Sequence, residues 1–474
     1  MASDHFFRLL TGVPIIFVLG CSYVDAPLNN EKTPIESRIV NRTRSALFAN
    51  VAPPATNESV SMLRTEHVVR SADDGADGPH DKDGFFVGLA LSGGGSRSAN
   101  FTAATMFQLE RLGLLQKVDY ISSVSGGSLT AAYYCSSDQW DPATVQQRLT
   151  HPFSDDMIGR SLLPWNFAAF LFSDWDRSDV LAGALQDVLF SRNGKPLTYA
   201  DLRADRPRLL INATELQTGR RFVFCNESFD ELNADLSRYP LAYAVTASSA
   251  VPVLLHPVTL RDFSTTFPMY HHLIDGGVID NLGVQTLLEM YTSQIESAKR
   301  VGRADPYPHG AVIVVVNAQT RFNANVSALS DVGLFASLKA AAGLSSTQLI
   351  SRASSATLAE AIVNSAPDEE TAAELREQIR VLDKEGFLRL TGRTGHPVRV
   401  IYISLAQLDA LANLPSRDFS RDINSIQTDF DISLPEAFDL YKAADLLVGI
   451  KLQDKVRDVV HEIDAAATQP ATQP

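Results

Sequence analysis

Five short aliphatic runs, each ending near Gly, Ser or Asn, restrict what this chain can fold into more than any other feature. They lie at residues 85–91, 119–124, 208–213, 311–316 and 398–404. Runs of this length bounded by turn residues read as strands, and their alternation with helical stretches is the pattern of a mostly parallel α/β sheet. Residues 98–112 read as one of the helices, with Phe101, Ala104, Met106 and Leu109 as its apolar positions. Residues 327–388 read as largely helical, and 371–384 carry charge along one face. Hydrophobic residues make up 45% of 474, enough for a large core, while length leaves the number of domains open.

The two ends differ from this central stretch. An apolar run at residues 9–20 follows His5 and Arg8 and stops at Cys21. It is too short to span a bilayer, which takes about 20 residues, and has the size of a signal-peptide core. Val18-Leu19-Gly20-Cys21 resembles a bacterial lipoprotein signal, in which the chain is cut before the Cys and the thiol is diacylated. Asp4 and Val18 depart from the usual pattern, so a plain secretory signal or an unprocessed tail stands as the alternative. The expected organisation is a signal peptide at 1–20, a flexible tether at 21–83, a catalytic domain at 84–462 with a helical insertion at about 320–395, and a disordered tail at 463–474. The expected location is the bacterial cell envelope, with the protein held at a membrane by Cys21.

Charge excludes some partners. A formal net charge of −14 argues against nucleic acid and against electrostatic docking on anionic lipid, both of which need clustered Lys and Arg. Any membrane attachment must therefore come from apolar groups or a covalent anchor. Besides Cys21, the chain has only Cys135 and Cys225, too few for a disulfide scaffold and without metal-ligand spacing. Both lie in apolar stretches and read as buried small hydrophobes, with a single Cys135–Cys225 disulfide as the alternative.

Three segments carry chemistry. Ser92-Gly93-Gly94-Gly95-Ser96-Arg97 follows a strand and precedes a helix. Consecutive glycines turn the backbone sharply and leave N–H groups uncovered at a helix N-terminus, where they can hold an anion such as a tetrahedral oxyanion. A dinucleotide fingerprint would need a third spaced Gly where Ser98 stands, and a phosphate-binding P-loop would need Gly-Lys-Ser/Thr. Ser123-Val124-Ser125-Gly126-Gly127 again sits at a strand-to-helix junction. A serine there projects from a sharp turn with its oxygen exposed, and small neighbours let the chain bend. Leu273-Ile274-Asp275-Gly276-Gly277 takes a carboxylate out of an aliphatic strand into a Gly-Gly turn, toward the edge where α/β sheets place ligands. Asp280 and Asn281 just beyond read as turn formers. Any one of these segments is also ordinary turn material.

Taken together and in this order, Gly-Gly-Gly-x-Arg, the serine elbow and Asp-Gly-Gly resemble the patatin-like phospholipase family. Leu210-Ile211-Asn212-Ala213-Thr214-Glu215 with Thr218-Gly219, and Ala247-Ser248-Ser249-Ala250-Val251-Pro252, extend the match. The resemblance covers roughly residues 85–283 and continues loosely through 311–316 and 426–430. It implies a three-layer α/β/α fold with a central mostly parallel sheet and a helical C-terminal extension. It implies a lipid or phospholipid substrate, Ser125 as nucleophile, Asp275 as its base, the N–H groups of Gly93, Gly94 and Gly95 as the oxyanion site, and no metal or organic cofactor. Arg97 matches the family's basic residue beside the glycines, where it steadies the loop or meets a phosphate. An Asp near its ordinary pKa of about 4 is a poor base for a hydroxyl and needs close contact and a strong oxyanion site.

Other readings compete. A Ser–His–Asp esterase could use His396 or His309, and His271 or His272 could complete a triad with Asp275. A non-catalytic lipoprotein could keep the fold as a binding module. The aromatic-rich segment with Phe153, Leu162, Leu163, Trp165, Phe167, Phe170, Leu171, Phe172 and Trp175 reads either as an acyl-chain channel or lid, or as a core-packing helix.

Overall fold

The computed structural model describes residues 27–32, 83–161, 163, 176–252, 254–320, 370, 382, 384–392 and 394–468. Nine strands form one sheet: β1 (Phe85–Leu91), β2 (Tyr120–Val124), β3 (Arg208–Glu215), β4 (Arg220–Phe224), β5 (Val258–Asp262), β6 (Met269–Asp275), β7 (Gly310–Asn317), β8 (Phe387–Thr391) and β9 (Pro397–Ser404). Their spatial order is β8-β9-β7-β1-β2-β3-β6-β5, with β4 also paired to β3. The five runs foreseen from sequence are β1, β2, β3, β7 and β9, and they alone pair in parallel. The sheet is nevertheless mixed, because β4, β5, β6 and β8 all join antiparallel. These strands escape the aliphatic-run signal because polar or charged residues interrupt them, as Arg220 and Arg221 do in β4 and His271 and His272 in β6. In β8, for example, Leu388 and Leu390 are buried while Arg389 and Thr391 are exposed.

Period-2 alternation splits the interior into two cores. In β1, Phe85, Val87, Leu89 and Leu91 face one core, whereas Phe86 and Ala90 face the other. The first core is covered by α1 (Gly95–Arg111), α2 (Gly126–Ser136), α3 (Leu241–Ser248), α5 (Leu434–Ala444) and α6 (Gln453–Ala467). The second is covered by α4 (Val284–Arg300) through Val284, Leu287, Met290 and Tyr291. The result is the three-layer α/β/α arrangement. Leu89 is fully buried between the layers, so its truncation to Ala would cost about 2–5 kcal/mol.

Several expected boundaries move. Within the tether expected at 21–83, residues 27–32 are docked: Asn30–Glu31 pairs antiparallel with Ala234–Asp235. Asn29 holds the backbone of Arg261 from both sides, with Nδ2 donating to its carbonyl at 2.7 Å and Oδ1 accepting from its N–H at 2.8 Å. A side-chain amide thus stands in for a strand neighbour, a contact invisible to composition. The last helix runs to Ala467, past the end expected at 462. The insertion expected at about 320–395 contains β8, and the remainder falls largely outside the described residues. Cys135 and Cys225 are both free and buried.

Candidate active site

The glycine turn after β1 is fixed from three sides. Ser92 N–H donates to the Val316 carbonyl of β7 at 3.0 Å, and Gly93 N–H donates to the Asn281 carbonyl at 3.0 Å. Ser96 N–H donates to the Asp429 carbonyl at 2.7 Å. Gly95, at φ +59°, lies so close to that segment that a Cβ would sit 2.2 Å from the Asp429 oxygen. Only glycine fits there. Among the described residues, the N–H groups of Gly94 and Gly95 have no protein acceptor. The N–H groups this turn leaves unengaged are therefore those of Gly94 and Gly95, while the N–H of Gly93 is spent on the frame.

Arg97 braces this turn. Its guanidinium is buried and donates to the carbonyls of Ala318 at 3.0 Å and Ile426 at 2.7 Å, tying the ends of β7 and α1 to the C-terminal segment. Burial alone lowers its pKa to about 10, which leaves it charged at neutral pH.

Ser125 sits in a left-handed conformation, φ 48° and ψ −121°. A non-glycine residue held there stores about 1–3 kcal/mol of strain, and persists only if the surroundings fix it. They do. Ser125 N–H donates to Ser248 Oγ at 2.8 Å, and Ser248 Oγ donates to the Asn212 carbonyl at 2.6 Å. Asn212, fully buried, donates through Nδ2 to Ser122 Oγ and the Ser123 carbonyl, both at 2.9 Å, and accepts from Thr286 Oγ1. Ser128 Oγ lies 3.1 Å from both Ser123 Oγ and Ser248 Oγ. A satisfied polar network thus lies beneath the elbow, where an unpaired group would be costly. The segments around Asn212 and Ser248, noted in the sequence only for their resemblance, acquire a physical task here.

The register places Asp275. β3 pairs with β2 through residues 208–212 and with β4 through 211–215, so β2 and β4 occupy opposite edges of β3. β6 pairs with 213–215, which β4 already holds on its own edge, so β6 shares the edge used by β2. The two strands run toward each other along that edge and meet head on, Val124 opposite Asn212 and Asp275 opposite Ala213. A Cβ on Gly276 would lie 2.4 Å from the Asn212 carbonyl oxygen, which shows how tight the junction is. Asp275 therefore reaches the edge at which the parallel strands end by descending from outside the sheet on an antiparallel strand, and not by leaving a parallel strand.

Asp275 is buried, and desolvation raises its pKa to about 6, opposed by the Gly277 N–H, 2.7 Å from Oδ1, and by the Ser125 hydroxyl. The Ser125 hydroxyl interacts with the carboxylate and lowers its pKa less than the Gly277 N–H does. The Asp275 carboxylate thus departs from the ordinary value of about 4.

No described histidine touches either residue. His271 pairs with Glu215, His272 Nδ1 lies 2.9 Å from Thr259 Oγ1, His256 Nδ1 lies 3.4 Å from Asp176 and His396 Nε2 lies 3.3 Å from Asp305. His309 packs its ring against Phe85 at the opposite end of β1. Asp280 is the turn former expected of it, accepting from Leu282 and Gly283 N–H at 3.0 Å to start α4. Asn281 does more than turn the chain. Its carbonyl holds Gly93, and its Oδ1 fills the space beside Gly93 and Gly277, where a Cβ would come within 2.3 and 2.7 Å of it. Its position six residues after Asp275 was the only sequence signal for that role. Of the aromatic segment, Phe153 is a core residue. Leu162, Trp165, Phe167, Phe170, Leu171, Phe172 and Trp175 lie outside the described residues, as does Cys21.

Residues 89–288 match the patatin-like phospholipase family. No curated protein gives a significant match. Among solved structures, human GIVD cytosolic phospholipase A2 is similar at 12% identity, with a TM-score of 0.47, over 93% of this chain and 65% of that one. The same enzyme in complex with methyl γ-linolenyl fluorophosphonate aligns at 14% identity, with a TM-score of 0.45, over 87% of this chain and 64% of that one. VipD from Legionella pneumophila aligns at 13% identity, with a TM-score of 0.27, over 81% of this chain and 73% of that one. The chain thus spans just under two thirds of the length of the human phospholipase.

Proposed function

We propose, from the match of residues 89–288 to the patatin-like phospholipase family, that the protein is a lipid acyl hydrolase with Ser125 as nucleophile and Asp275 as base. The observation that carries this reading is the head-on meeting of β2 and β6, which brings a strained serine against a desolvated carboxylate. In the proposed reaction Ser125 Oγ attacks the ester carbonyl carbon while its proton passes to Asp275. The resulting oxyanion accepts from the N–H groups of Gly94 and Gly95. Collapse of the tetrahedral adduct breaks the ester C–O bond, and Asp275 returns the proton to the leaving alcohol. Water then attacks acyl-Ser125, giving its proton to Asp275, and release of the fatty acid restores the serine hydroxyl.

A fluorophosphonate tests the nucleophile directly. The expected adduct is on Ser125 by mass spectrometry, absent in Ser125→Ala, with loss of ester hydrolysis of at least about 10³-fold. Labelling of any other serine, or hydrolysis retained by Ser125→Ala, overturns the assignment. A protein that binds lipid but is neither labelled nor active would be a binding module on this fold.

We also propose that residues 1–20 are a lipoprotein signal and that Cys21 carries a diacylglyceryl anchor at the cell envelope. Two acyl chains suffice for stable anchoring where one is marginal. Cys21→Ser is expected to release the protein from the host membrane with unchanged activity on soluble esters. An unmodified Cys21 in the mass spectrum of the native protein overturns the anchor.

A further inference from the structure

The β5–β6 hairpin does not stop where the sheet stops. Glu215, the last residue of β3, pairs with Leu273, so residues 269–272 extend beyond the end of β3 on the side where Ser125 and Asp275 lie. Six residues separate Asp275 from Met269, which at about 3.4 Å per residue carries the tip roughly 20 Å outward from the carboxylate. The tip is apolar and uncovered: Phe267 is 80% exposed, Met269 54% and Tyr270 43%. Leu216, 52% exposed, is tied to the same edge through its N–H, which donates to the His272 carbonyl at 2.8 Å. From Phe263 to Tyr270 the sequence Phe-Ser-Thr-Thr-Phe-Pro-Met-Tyr contains no ionisable group except the Tyr270 phenol. Below this tip sits a polar collar, in which His271 lies between Glu215 and Asp262. A single exposed apolar residue needs no explanation, but three on one protruding hairpin with a fourth beside its base do.

We infer that this hairpin is a wedge that seats the catalytic edge on a lipid bilayer surface. The inference rests on the lipid-hydrolase reading for its purpose, and on geometry for its form. Three observations favour a bilayer over a protein partner. The element projects from the edge that carries the nucleophile, so insertion brings the site to the plane in which an ester substrate lies. A chain of net charge −14 gains nothing from anionic headgroups and must be held by apolar contact. Third, the N-terminal segment leads to the same place. Asn29 is clipped to Arg261, and Arg261 is the cross-strand partner of Tyr270. Cys21 precedes Pro27 by six residues, so its Cα can lie no farther than about 22 Å from that of Pro27. Clip and wedge would then present one face to the membrane.

The test uses the full chain carrying Cys21→Ser, so that no acyl anchor contributes, with phosphatidylcholine vesicles as the probe. The expected result is vesicle co-sedimentation that persists at high salt and falls at least about tenfold in Phe267→Ser/Met269→Ser, since burying one large apolar side chain is itself worth about a tenfold or greater gain. Hydrolysis of a monomeric short-chain ester is expected to be the same in both proteins, which also reports that the variant is folded. Three results overturn the wedge: equal vesicle binding by the two proteins, binding that requires anionic lipid and disappears with salt, or a dimer that the double substitution converts to monomer. Failure of the enzyme reading looks different, because the parent then binds vesicles through Phe267 and Met269 yet hydrolyses no ester.

Discussion

Ser125 and Asp275 arrive at the candidate site on strands that run in opposite directions, and the two strand ends are held in place by different physics. The end of β2 is a strained turn held from beneath: Ser248, Asn212, Ser128 and Thr286 satisfy one another in a closed polar network. The end of β6 carries little strain but a large electrostatic load, a carboxylate buried with one N–H donor at 2.7 Å. Strain at one end and desolvation at the other both make the native site less stable than a neutral substitute would be. The comparison teaches that reactivity at this junction is divided between backbone conformation and solvation, so the two halves should respond differently to mutation and to pH.

The largest expected effect comes from the base. Asp275→Asn should lower kcat by about 10³-fold or more, comparable with Ser125→Ala. The same substitution should stabilise the fold at neutral pH. The native pKa of about 6 exceeds the unfolded value near 3.8, so the native state favours the protonated form. Its stabilisation is fully present below about pH 3.8 and is lost as pH rises through 6, above which the buried charge is a liability. Removing that charge should raise stability by roughly 1–3 kcal/mol at pH 8 and by far less at pH 4, measured as denaturant midpoints at the two pH values. Equal stability of the two proteins at pH 8 would break the contrast between the strand ends.

Second in size, Gly95→Ala should cost about 10²–10³ in kcat with a smaller change in KM, because the displaced donor matters mainly when the oxyanion forms. The clash is of the new Cβ against the Asp429 backbone carbonyl, and no flexible side chain can rotate away to relieve it. Normal single-turnover acylation by this variant would make the turn structural.

The pH profile is the third. Single-turnover acylation should rise tenfold per pH unit up to an inflection near 6, as Asp275 loses its proton. An imidazole base would titrate near 6.5, too close for the profile alone to separate the two. His271→Ala and His272→Ala make the separation, and both are expected to keep the wild-type inflection. A histidine variant as damaged as Asp275→Asn would replace the dyad with a triad.

The smallest effect should come from the network. Ser248→Ala leaves the Ser125 N–H without its acceptor and is expected to cost about 1–3 kcal/mol of stability, with roughly a tenfold fall in acylation rate as the elbow relaxes. Wild-type stability in this variant would show that the strained φ of Ser125 is held by something other than the Ser248 contact.

Much of this was legible in residues alone. The aliphatic runs of β1, β2, β3, β7 and β9 announced buried parallel strands because such strands are apolar on both faces, and turn chemistry announced the Gly93–Gly95 bend and the Ser125 elbow because few residues tolerate those backbone angles. Asp275 could be marked as a candidate from its Gly-Gly context. Its route to the site could not, since strand direction is set by pairing partners remote in sequence. The same holds for the loss of Gly93 to the Asn281 carbonyl, for Arg97 as a brace, and for the rise of the Asp275 pKa, which needs a count of the solvent that has been excluded. Local conformation is a short-range property and is written in neighbouring residues. Head-on meeting of two strands, desolvation and the occupation of an N–H by a distant carbonyl are long-range properties, and only the packed chain decides them.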